Sequence, residues 1–227
     1  MDKERIKELV GAELSLGAYP FPPELIYAII KVESNWVPGI VNHKSGATGL
    51  MQVMPAVVSD YNKRNKTNLT MSDLQRSDEL SVKNQLRVGL WVLGVFWRGA
   101  YKYLQPRTKT VPVDELVKIA DMYYVAGPGA ARAKLDQLPT PTSAAVAERW
   151  PEWVALKHVN AVWSLTDSAS PSWDLAAIDG WLGKAPSQAP TIAGFGSGLG
   201  GFVLAAILLL VGWHFFNERK GRIENGN

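Results

Sequence analysis

The sequence contains no cysteine, which excludes disulfides, thiolate metal sites and a cysteine nucleophile. Its three histidines, His43, His158 and His214, show none of the paired spacings that ligate a metal. Neither a metal nor another cofactor is expected. Strand-like alternation of apolar and polar residues is nearly absent, which argues against a sheet. No charge sign dominates: 24 basic and 21 acidic side chains leave a net +3. The densest soluble basic cluster, Lys63, Arg64 and Lys66, has Asp60 beside it and reads as a solvated helix end, so nucleic acid is not expected as a partner.

What is present is a helical pattern over an ample apolar content, 47% of 227 residues. The first ten residues alternate charge with Ile6, Leu9 and Val10 and have no apolar run of the secretory type, so an amphipathic helix is expected there. Pro22-Pro23-Glu24 marks a helix start, and Pro38-Gly39 its end. A long helix is predicted over 80–104, with others at 113–125, 129–137 and 143–164, the last kinked at Pro151. The expected fold class is mainly α, in one domain over residues 1–165.

Composition then shifts. Residues 166–191 are rich in Ser, Pro, Ala and Asp around an apolar island at 173–182, and are expected to be a linker or stalk. Residues 192–216 carry no Asp, Glu, Lys or Arg, enough length for a transmembrane helix, followed by a basic tail over 217–227. Gly196-Ser-Gly-Leu-Gly-Gly201 matches a dinucleotide fingerprint only in letters, since no strand precedes it. Gly194 and Gly198 would let two such helices approach, so self-association through them is an expectation alongside the lipid membrane as partner.

The chemistry is concentrated near Glu33. At helical spacing Ile26, Ile29, Ile30 and Val37 form an apolar stripe, and Glu33 falls in its middle. Desolvation disfavours the charged form of a carboxyl, which suits a general acid. Ser45-Gly-Ala-Thr-Gly-Leu-Met-Gln52-Val-Met-Pro55 follows, rich in small residues that admit close approach of a ligand, with Gln52 able to donate and accept. Trp36, just beyond Glu33, is a candidate for stacking on a ring.

Glu33-Ser34, this small-residue stretch, Asn84-Gln-Leu-Arg-Val-Gly89-Leu-Trp-Val-Leu93 and Tyr124-Val-Ala-Gly127-Pro128-Gly129 occur in this order. Together they resemble the motifs of the soluble lytic transglycosylase (SLT) family, relatives of goose-type lysozyme, over about residues 20–165. The resemblance implies a lysozyme-like α fold that cleaves the glycan strands of peptidoglycan. It also implies that Glu33 acts first as acid on the glycosidic oxygen, then as base on the C6 hydroxyl, closing a 1,6-anhydro ring. Ser45, Gln52, Tyr124 and Trp36 are the expected substrate-side residues. Val125 departs from the family's Asn, and Asp121 falls where the family is usually apolar and is assigned no role. A hydrolytic muramidase and a non-catalytic wall-binding scaffold are the alternatives. The basic tail implies a catalytic domain on the cell-wall side, in a bacteriophage virion's entry apparatus or on the bacterial inner membrane.

Overall fold

In the computed structural model the described residues are 1–16, 18–168 and 173–183. They form helices α1 (Lys3–Ser15), α2 (Pro23–Ser34), α3 (Pro55–Asn65), a 3₁₀ turn (Met71–Leu74), α4 (Glu79–Leu104), α5 (Val113–Ala126), α6 (Pro128–Leu135), α7 (Ser143–Arg149), α8 (Val154–Ser168) and α9 (Leu175–Gly183). The only strand-like pairing among them is two isolated bridges, Val41 with Thr48 and Thr48 with Val53. The mainly α expectation holds for these residues.

Local chemistry sets most boundaries. Pro23, Pro55 and Pro128 each occupy the first turn of a helix, where the missing N–H has no intrahelical partner to lose. Asp2, Asp78 and Thr142 cap α1, α4 and α7 by accepting the backbone N–H three residues on. α2 ends earlier than Pro38-Gly39 suggested, because Asn35 turns left-handed with φ 49° and closes the helix. Trp36 follows with φ 68°, so Val37 lies outside the helix and is 47% exposed. Its place on the Glu33 stripe is therefore corrected. The helix predicted over 143–164 is two helices: α7 stops at Arg149, and Pro151 separates it from α8.

α4 is the central element. Val82, Leu86, Leu90, Leu93 and Trp97 on it are essentially inaccessible. α5 packs along α4 and against α8, and α8 packs in turn on α2. The carboxylate of Glu13 on α1, 7% exposed, accepts the single Arg87 Nε–H between its two oxygens at 3.1 and 3.0 Å, tying the N-terminal helix to α4.

The expected linker needs a correction at its start. α8 runs to Ser168, and the apolar island forms α9, whose Ile178 is 1% exposed. Trp181 Nε1 donates to the Ala18 carbonyl at 2.9 Å, and Arg98 stacks on the indole 3.6 Å from its centroid. Burying these apolar side chains holds the segment against the domain. No helix among the described residues is long and apolar enough to cross a membrane. The segment 192–216, Gly194, Gly198 and the tail lie outside the described residues.

Candidate active site

Three helices each present one ionisable group to a common buried point. Glu33 sits in the last turn of α2 and is 6% exposed. Asp121 lies on α5 and is 3% exposed, and His158 lies on α8 and is 2% exposed. His158 Nδ1 is 2.9 Å from Asp121 Oδ2 in a buried hydrogen bond, and His158 Nε2 is 3.1 Å from Glu33 Oε1. The second approach is within ion-pair range yet lacks the alignment of a full hydrogen bond, so Nε2 has no hydrogen-bond partner.

This arrangement corrects the expectation that Glu33 stands alone in apolar surroundings. Burial by itself works against an imidazolium. Here it is outweighed by the charge of Asp121 and its hydrogen bond, then by Glu33, and the His158 pKa is pushed up to about 10. The cation facing Glu33 is one that can hand over a proton, unlike arginine.

The small-residue loop is fastened to the helices α4 and α5. The Tyr124 hydroxyl, one helical turn beyond Asp121, donates to the Met51 carbonyl. Burial, with Glu33 and Asp121 nearby, pushes that phenol well above its usual pKa, so it remains a donor. Met51 reaches this position because Gly89 on α4 has no side chain. A Cβ there would stand 2.4 Å from Met51 Sδ and 3.0 Å from its Cβ. Gln85 receives the Leu50 N–H at 2.9 Å and holds the same loop from α4.

Of the expected substrate-side residues, Tyr124 alone joins the Glu33 neighbourhood through contacts of its own. Ser45 Oγ accepts the Ala47 N–H at 3.2 Å. Gln52 Nε2 donates to the carbonyls of Ile40 at 3.2 Å and Gly49 at 3.0 Å. Both side chains shape the loop on which they sit. Trp36 packs on Tyr27, with ring centroids 5.7 Å apart, and under Lys3 Nζ at 5.1 Å. These contacts are to Lys3 of α1 and Tyr27 of α2, not to Glu33. Val125, where the resemblance has Asn, lies in a small apolar cluster with Ala126, Val154 and Ala155 and seats the start of α8.

Sequence reasoning missed Asp121 and His158 although the signal that marked Glu33 was present for both. Asp121 falls between Val117 and Tyr124 on the inner face of α5. His158 shares a buried face with Ala155, Val159 and Val162 on α8. A polar group on an apolar stripe needs a partner, and here the three stripes meet. Among the described residues no cluster of His, Cys, Asp and Glu could hold a metal ion.

A buried acid at a helix end, a small-residue loop tied to the neighbouring helices α4 and α5 and a helical scaffold define the class of lysozyme-like glycan-cleaving domains. Residues 15–138, more than half of the chain, match the family of the transglycosylase SLT domain. The chain belongs to that family, whose members are lytic transglycosylases acting on peptidoglycan. No curated protein and no solved structure matches it. His158 lies beyond the matched residues.

Proposed function

We propose that the protein cleaves the bond between N-acetylmuramic acid and N-acetylglucosamine, with Glu33 as the single acid and base. Glu33 protonates the glycosidic oxygen as the bond to C1 breaks. It then takes the proton of the C6 hydroxyl, whose oxygen bonds to C1 and closes the 1,6-anhydro ring, so no water is consumed. Ordinary glycosidases use two carboxylates, one on each side of the scissile bond. The observation that carries the reading is that the second carboxylate near Glu33, Asp121, is buried and bonded to His158. That leaves one acid for the sugar.

The test is mass analysis of fragments from purified sacculi, with the wild type and Glu33→Gln side by side. Anhydro-ended fragments, lighter by one water than hydrolysed ones, are expected from the wild type and none from the variant. Hydrolysed ends would make the protein a muramidase instead, and product from Glu33→Gln would remove Glu33 from the role. For its location the proposal is that residues 192–216 anchor the domain on the wall side of a membrane, as part of a virion entry apparatus. Absence of the protein from purified particles would reject the virion version.

A further inference from the structure

The junction of α6, α7 and α8 gathers two cations on aromatic rings with no acid paired to either. Arg149 ends α7, and Trp150-Pro-Glu-Trp153 turns into α8, with the Trp153 N–H donating to the Trp150 carbonyl at 3.0 Å. The turn brings both indoles to Lys134 of α6. Its Nζ lies 4.3 Å from the Trp150 ring centroid and 5.4 Å from that of Trp153. The Arg149 guanidinium lies 5.3 Å from the Trp150 centroid as well. Attraction of a cation to an indole face accounts for each contact singly. Two like charges gathered on one ring also repel, and an anion shared by them removes that repulsion.

Among the described residues no carboxylate is within ion-pair distance of Lys134 or Arg149. Asp136 accepts instead from Tyr103 and Arg107, and Glu152 from Lys157 at 2.6 Å. Glu148, next to Arg149 in sequence, is exposed and not paired with it. The patch adjoins the site. Trp153 packs with Val125, Ala126, Val154 and Ala155, and Val125 directly follows Tyr124, which feels the charge of Glu33. Both indoles are half-buried and carry the cations, so the patch offers positive charge rather than bare ring faces. Peptidoglycan, on which the family acts, supplies the complement. Its muramic units carry peptide stems that reach away from the glycan axis and bear free carboxylates.

We propose that Lys134 and Arg149, seated on Trp150 and Trp153, bind the carboxylates of a peptide stem and so favour strands whose stems are intact. The inference rests on the chain acting on peptidoglycan and requires no role of Glu33.

The experiment measures the affinity of the full chain for fluorescent glycan strands, with stems intact or removed by an amidase, at low and high salt. Removal leaves the lactyl carboxylate on each muramic unit, which separates the two sources of negative charge. Lys134→Gln and Arg149→Gln should each weaken binding to stem-bearing strands about two- to fivefold, and the double variant by about the product. Salt should weaken the wild type on these strands more than the double variant. On stripped strands all variants should match the wild type, and Lys134→Arg should match it on both. Affinities are compared per folded molecule from urea unfolding. Arg149, exposed, carries the test if Lys134→Gln does not fold. Equal weakening on both kinds of strand, or none on intact ones, overturns the proposal. Lys134→Arg as weak as Lys134→Gln assigns the effect to packing and overturns it too. Cleavage of the same strands is followed in parallel, with anhydro and hydrolysed ends counted together. Stem-selective binding without cleavage would uphold the stem contact and reject the proposed cleavage instead.

Discussion

The hydroxyl of Tyr124 and the carbonyl of Met51 are hydrogen-bonded across 73 residues of sequence. The bond ties the small-residue loop to the helix that carries Asp121, and the Tyr124 end of it lies close enough to Glu33 to feel its charge. It explains why a tyrosine stands where a phenylalanine would pack equally well against Phe96, whose ring meets Tyr124 edge-on at 6.0 Å.

Tyr124→Phe is therefore expected to leave the Met51 carbonyl without its partner and cost about 1–2 kcal/mol. The loop should loosen where Tyr124 holds it, and fragment yield per folded molecule should drop more than the stability change alone accounts for. Urea unfolding and sacculus digestion on the same preparation check this. Unchanged yield would mean that the bond only stabilises.

Gly89→Ala places a methyl group against Met51 from the α4 side, 2.4 Å from its sulfur. Overpacking of this kind costs about 1–3 kcal/mol, against a helix-propensity gain of up to about 1 kcal/mol. The net expectation is a lower urea midpoint together with reduced activity, because the displaced residue is the one Tyr124 holds. A stabilised, fully active Gly89→Ala would show that Met51 moves aside freely.

Stability should depend on pH through His158. Its folded pKa, about 10, lies above the unfolded value of about 6.5. The stabilisation is then complete below about 6.5 and lost as pH rises through about 10. Tyr124, also raised, changes nothing in that window because both of its forms are neutral until the unfolded phenol near 10 begins to ionise. The urea midpoint of the wild type is expected to fall between pH 7 and 9.5, and that of His158→Gln to fall less. Parallel curves would place the charge of the trio elsewhere.

By itself the sequence determined the helical class, most helix starts and the placing of Glu33 on a buried face. These follow from local causes: a proline in a first turn, an apolar period near 3.6 and a polar residue interrupting it. It also carried the ordered motifs of the SLT family. Tertiary structure decided what Glu33 faces. Glu33, Asp121 and His158 lie 88 and 37 residues apart along the chain, and each alone reads as an oddity of its own helix. Only the packing of α8 against α2 and α5 brings the ring between the two carboxylates. The same holds for Ser45, Gln52 and Trp36, whose residue types suit a sugar but whose hydrogen bonds and ring contacts serve their own loop, α1 and Tyr27 of α2. A side chain's chemistry is local, whereas its partner is set by which helix faces meet.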